Sequence, residues 1–189
     1  MSKRSGNKFP RKESDFYQTP KAATAPLITH LQAEGIKTFA EPCAGKDDLI
    51  RHLESFDLCC VYKGDISTGQ DARLLTRKDC NRAQAIITNP PHTRSLMHEL
   101  IERFVATGLP VWLLIDSDWM TNLHATPYLP SCSDIVVIGR VRWIDGTKKH
   151  SMDNFGWYRF SFSHDGPTRI HNYRHLSTPG ALELREGTR

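Results

Sequence analysis

Ala85-Ile86-Ile87-Thr88-Asn89-Pro90-Pro91-His92 decides how the chain is read. Ala85–Thr88 is a short apolar, β-branched run and predicts a buried strand. Two prolines then remove consecutive backbone donors and fix φ, so the strand stops at Asn89. Directly after it, Leu96, Met97, Leu100, Ile101, Phe104 and Val105 recur at helical spacing and predict a helix over Ser95–Ala106. Val111–Ile115 follows as an unbroken apolar run, the pattern of a strand buried on both faces, with Trp112 inside it.

The same alternation extends upstream. Lys21–Glu34 suits a helix that starts near Pro26 and stops at Gly35, and Thr38–Ala40 a short buried strand. Asp47–Ser55 reads as a helix with Leu49, Ile50, Leu53 and Phe56 on its apolar face and Asp47 or Asp48 as its cap. Leu58–Tyr62 is a strand closed by Gly64-Asp65, and Gly69–Leu74 a weak further strand. Downstream, Ile135–Ile138 is a strand that Val141–Ile144 extends past a bulge at Gly139, and Trp157–Phe162 is the last. The polar stretch Asp145–Gly156 joins these two as antiparallel neighbours. Strands alternating with helices and ending in a hairpin imply an α/β domain with a mostly parallel central sheet.

Composition agrees. The chain has 189 residues, 39% hydrophobic and 24% charged, enough for one domain with one core and incompatible with a collagen-like or wholly disordered chain. No apolar run approaches the ~20 residues that span a bilayer, and the first residues lack the apolar stretch of a secretory signal. Cys43, Cys59, Cys60, Cys80 and Cys132 are odd in number and form no C-x-x-C pair, which argues against a disulfide scaffold and for a cytoplasmic setting. The scattered histidines show no zinc spacing, so no metal is expected. Residues 1–14 read as a basic flexible tail, 15–175 as the domain and 176–189 as a C-terminal tail. The front cations Lys3, Arg4, Lys8, Arg11 and Lys12 fit a solvated terminus or an arm on nucleic-acid phosphates.

In open parallel sheets ligands bind beyond the carboxyl ends of the strands. The unusual residues sit there: Glu41-Pro42-Cys43-Ala44-Gly45, Asp65, Asn89-Pro90-Pro91-His92 and Asp116-Ser117-Asp118-Trp119. The Asn89 side-chain carbonyl and the Pro90 backbone carbonyl could both accept from one exocyclic amine on a nucleobase. Accepting both hydrogens localises the nitrogen lone pair, which can then attack an electrophilic methyl group. The His92 ring could lie against the base. Gly45 permits a close backbone turn, and the following helix N-terminus could face the carboxylate of an amino-acid-like cofactor. Asp65 could accept from ribose hydroxyls, and Asp71 from an adenine amine. Trp119 either lines this pocket or begins a helix. Arg140, Arg142, Lys148, Lys149 and Trp157 make either a nucleic-acid face or a solvated hairpin with one core tryptophan.

Taken in this order, these motifs resemble class I S-adenosylmethionine-dependent methyltransferases, in particular the adenine-amino DNA methyltransferases of bacteria and phages. That family carries D/N-P-P-Y/F after its fourth strand, where Asn89-Pro90-Pro91-His92 stands. It carries D/E-P-x-x-G-x-G-x-L after its first, where Glu41-Pro42-Cys43-Ala44-Gly45-Lys46-Asp47-Asp48-Leu49 stands, with Asp47 at the second glycine. Its aromatic-x-T-P stretch is matched by Tyr17-Gln18-Thr19-Pro20. The resemblance covers residues 15–162 and implies a Rossmann-like class I methyltransferase fold. It implies that Tyr17, Thr19, Pro20, Glu41, Pro42, Cys43, Ala44 and Gly45 surround the methionine portion of S-adenosylmethionine, with Asp65 on the ribose and Asp71 near the adenine. It makes Asn89, Pro90, Pro91 and His92 the catalytic set, acting on adenine in DNA. RNA adenine, a protein glutamine side chain, or an inactive binding protein of the same fold are the alternatives. Little chain separates His92 from the helix at Ser95, so base selectivity is expected to be low or to come from a partner protein.

Overall fold

The computed structural model describes residues 18–143 and 151–172. Tyr17, Lys148, Lys149 and the tails expected at 1–14 and 176–189 lie outside them.

The chain runs α1 (Lys21–Ala33), β1 (Thr38–Glu41), α2 (Asp48–Glu54), β2 (Cys59–Lys63), β3 (Ala85–Thr88), α3 (Arg94–Val105), β4 (Val111–Asp116), β5 (Cys132–Arg140), β6 (Asn154–Phe160) and β7 (Arg169–Asn172). The strands form one sheet in the order β2-β1-β3-β4-β6-β5-β7. Only β6 runs against its neighbours; it pairs antiparallel with β4 and β5, and the other pairings are parallel. From β1 the chain moves outward to β2, then crosses back to β3 on the other side of β1. By the general rule for open α/β sheets, such a reversal marks a crevice between β1 and β3 at their carboxyl ends as the place for a ligand.

Each face of the sheet has its own core. Ile87, Trp112, Leu114 and Trp157 pack under α1 and α2 with Leu27, Leu31, Phe39 and Leu53. Ile86, Leu113, Ile115, Tyr158 and Phe160 pack under α3 with Leu100, Ile101 and Phe104. Every residue of Val111–Ile115 is fully buried, because alternate side chains enter opposite cores. Trp157 is among these core residues, not on a nucleic-acid face, and its Nε1 donates to the Ala23 carbonyl of α1 at 2.7 Å.

The structure corrects several expected elements. Helix α1 starts at Lys21, with Pro26 inside it; burial of Leu27, Ile28 and Leu31 outweighs the missing donor. No strand forms over 69–74. Asp65 and Asp71 instead cap two short 3-10 turns, Ile66–Thr68 and Ala72–Leu74, through their own carboxylates. Asn89 therefore follows the third strand of this chain, not a fourth. Strand β5 bulges between Val137 and Gly139, where Gly139 takes φ 76°, and ends at Arg140, so residues 141–143 do not extend it. Strand β7 was not anticipated. It is held to β5 by Asp134, whose carboxylate accepts from Arg169 Nε at 2.9 Å and lies 2.8 Å from His171 Nε2.

Candidate functional site

The turn after β1 is laced to the turn after β2. Ala44 N–H donates to the Gly64 carbonyl, Gly64 N–H to the Glu41 carbonyl, and Gly45 N–H to Asp65 Oδ2, each at 2.9 Å. Gly45 has φ +54°, and a Cβ there would meet Gln18 Nε2 at 3.2 Å. The segment before α1 therefore lies against this turn, with Thr19 buried and Gln18 and Pro20 half-buried. Asp47, at the family's second glycine, also occupies left-handed space with φ 67°. Asp tolerates that region better than most residues, and its Oδ2 accepts from Lys63 Nζ on β2 at 2.9 Å. With Asp47 as its N-cap and Asp48 in its first turn, the seven-residue α2 already carries two acids at its start. Both acids are already paired, Asp47 with Lys63 and Asp48 with Arg51.

Glu41, the last residue of β1, is 1% exposed. Its Oε1 accepts from the Thr88 hydroxyl and from the Cys43 N–H. Its Oε2 is buried and has no hydrogen-bond partner among the described residues. Burial pushes the Glu41 carboxyl up to about 8, against the lowering effect of those two hydrogen bonds and with help from Asp65 and Asp47. Burial also pushes the Cys43 thiol far up, so it is no nucleophile at neutral pH. Pro42 and Ala44 are buried around it.

Asp65 is 7% exposed. Burial would raise its carboxyl, but hydrogen bonds from Ser67 and Gly45 outweigh that and hold it low. It accepts from the Ser67 N–H and hydroxyl as well as from Gly45. A carboxylate has about four acceptor sites, so one is left for a ligand hydroxyl. Asp71 is engaged by Arg73, whose Nε and Nη2 approach it at 3.0 and 2.6 Å, and its charge reaches Cys43 in the turn after β1.

Across the crevice, Thr88 is fully buried at the end of β3 and Asn89 is half-buried beyond it, followed by buried Pro90 and half-buried Pro91 and His92. The Thr88–Glu41 bond joins the residue before Asn89 to the acid of the first turn. The His92 ring meets Phe155 edge to face, 5.7 Å between centroids, and Phe155 meets Trp143 at 5.0 Å. At the end of β4, Asp116 Oδ1 accepts from the Trp119 N–H. Trp119 does not line the crevice: it is 4% exposed, opens a 3-10 turn and donates to His98 Nε2 at 3.0 Å on the α3 side. Arg140, the last residue of β5, and Arg142 just past it are exposed. Among the described residues no group of three His, Cys, Asp or Glu could hold a metal ion, and no helix is long and apolar enough to cross a membrane.

The structure thus brings Thr19, Pro20, Glu41 to Gly45 and Asp65 around one turn, with Asn89 to His92 beside it through Thr88. Three participants were not foreseen. Thr88 was legible as a hydroxyl at a strand end. Gln18 lay inside a quoted motif without a role. Phe155 carried no local signal, because only the β4–β6 register brings it close.

No protein-family model and no curated protein matches the chain. Solved structures do. A protein assigned as an RNA methyltransferase from Pyrococcus horikoshii is 16% identical with a TM-score of 0.57, over 77% of this chain and 85% of that one. A protein assigned as a class I S-adenosylmethionine-dependent methyltransferase from Listeria monocytogenes is 10% identical with a TM-score of 0.53, over 86% of this chain and 67% of that one. At these identities the likeness is one of fold.

Proposed function

We propose that this chain, which has the class I methyltransferase fold, transfers a methyl group from S-adenosylmethionine to the exocyclic amine of adenine in DNA. The observation that carries the reading is the Glu41–Thr88–Asn89 connection, which sets a buried acid with an unpartnered oxygen beside the Asn-Pro-Pro turn. The residues fit the cofactor. Oε2 of Glu41 lacks a donor that an ammonium group would supply, Gly45 allows close backbone approach, and Asp65 keeps an acceptor site for a ribose hydroxyl. Thr19, Pro20, Pro42, Cys43 and Ala44 would complete the methionine end, and Asp71 the adenine end if Arg73 yields it. When bound, S-adenosylmethionine supplies a methyl group on a cationic sulfur.

The protein's part is positioning. The Asn89 side-chain carbonyl and the Pro90 carbonyl accept the two amine hydrogens and keep the lone pair on nitrogen. His92, braced by Phe155, stacks on the base, a contact worth ~1–3 kcal/mol in single-strand binders. The base must leave a duplex to arrive. Arg140 and Arg142 are exposed cations that phosphates could approach, and Lys148 and Lys149 extend that charge in sequence. Only Thr93 separates His92 from α3, so no base-reading segment is inserted there; a partner protein could supply target choice. Methylation of RNA adenine is the second reading, favoured by the likeness to the Pyrococcus protein.

The protein is to be incubated with methyl-labelled S-adenosylmethionine and, in parallel, DNA, RNA and a protein fraction. Label is expected in DNA, released on digestion as N6-methyladenosine's deoxy form. Label confined to RNA would select the second reading. Label in protein alone, or in no polymer, would overturn both.

A further inference from the structure

Glu41 poses a question that holding a ligand in place does not answer. Its carboxyl is 1% exposed; apart from Lys63, its register partner on β2, whose Nζ is bonded to Asp47, the groups around it are neutral or acidic. From its own turn come the Cys43 N–H and thiol, from β3 the Thr88 hydroxyl, and from β2 the Cys60 thiol. Beyond β2 lies Asp65, and at the start of α2 Asp47, which is bonded to Lys63. Two hydrogen bonds reach Oε1 and none among the described residues reaches Oε2. An ionised carboxylate so buried, with one oxygen undonated and other acids near, is costly. The carboxyl itself stands at about 8, chiefly through burial.

We propose that Glu41 is a proton-coupled cation reader: neutral in the empty site, it releases its proton to solvent as the cofactor's ammonium group seats on Oε2. The step balances. The O–H bond of Glu41 breaks, the proton passes to buffer, and the carboxylate left behind pairs with the ammonium, whose own protons stay in place. This rests on the assignment of S-adenosylmethionine as cofactor and adds what that assignment lacks, a reason for the site to prefer a charged amine. A neutral Glu41 also spares the empty protein an unpaired buried charge.

The sign for stability follows. An acid whose folded-state value lies above its unfolded value of about 4.3 costs the folded protein more as pH rises between the two. The empty wild type should therefore lose melting temperature relative to Glu41→Gln from about pH 5 to about pH 8, and the difference should level off above that.

Titration calorimetry at about pH 6.5, where both Glu41 and the ligand amine are mainly protonated, is run in buffers of differing ionisation enthalpy. S-adenosylmethionine should release about one proton from wild type. It should release almost none from Glu41→Gln, and 5′-methylthioadenosine, which lacks the amino-acid end, almost none from wild type. Binding of S-adenosylmethionine without proton release overturns this inference and leaves the cofactor standing. No binding at all overturns the cofactor and the inference together. A pH-independent difference in melting temperature between wild type and Glu41→Gln also overturns it.

Discussion

Asn89→Ala is expected to slow methyl transfer by about 10²–10³-fold while S-adenosylmethionine binds as before. That magnitude is what losing one preorganised hydrogen-bonding group costs in other transition states. Asn89 is half-buried at the end of a fully buried strand, and Pro90 and Pro91 restrict the backbone after it. Alanine removes the side-chain acceptor. The amine then keeps one acceptor, the Pro90 carbonyl, and its lone pair spreads back into the ring. Asn89→Asp retains an oxygen acceptor and should recover part of the loss. Single-turnover transfer with saturating cofactor measures this. A loss under about tenfold with cofactor bound would remove Asn89 from the chemistry.

Trp157→Ala is expected to destabilise the fold by about 3–5 kcal/mol, the range for deleting a large buried aromatic side chain. That is a large share of the ~5–15 kcal/mol that holds a typical domain. Trp157 is fully buried on β6, and its Nε1 ties the sheet to the first turn of α1 through the Ala23 carbonyl. Trp157→Phe keeps most of the apolar volume and loses the indole bond to a carbonyl that still has its helical partner, so about 0.5–1.5 kcal/mol is expected. Because residues 18–20 lead from the Gly45 turn into α1, the alanine variant should also weaken cofactor binding. Urea denaturation at equilibrium measures the stability change. A change under about 1 kcal/mol for Trp157→Ala would place the ring at the surface.

Much of this architecture was legible in residue pattern. Ala85–Thr88 and Val111–Ile115 are short apolar runs with hard stops, and α3 has one continuous apolar face, so local signals and tertiary burial agree. Disagreement arose where packing overrode local rules. Pro26 reads as a helix start, yet the core beneath α1 holds a full turn before it. Trp157 reads equally as core or surface until β6 is known to lie between β4 and β5. Arg169-Ile170-His171-Asn172 lacks an apolar face and becomes a strand because Asp134 on β5 binds Arg169 and His171. Gly69–Leu74 looked faintly extended, but aspartate side chains capture the local N–H groups first.

The candidate site stands out for a related reason. Residues that end strands must be unlike strand residues, so Glu41-Pro42, Gly64-Asp65 and Asn89-Pro90-Pro91 stand out, and a parallel sheet collects them at one edge. What linked them was hidden. The Thr88 hydroxyl on Glu41, Gln18 against Gly45 and Phe155 against His92 are contacts between distant segments. They depend on strand order and register, which no local spacing encodes.

The most direct test is a crystal structure of the protein with a non-reactive S-adenosylmethionine analogue and an adenine nucleotide together. The adenine amine nitrogen should lie about 2.7–3.2 Å from both the Asn89 side-chain oxygen and the Pro90 carbonyl oxygen, with the analogue's methyl-equivalent group opposite. An adenine seated elsewhere, or a crevice between β1 and β3 closed by the protein's own side chains, would contradict it.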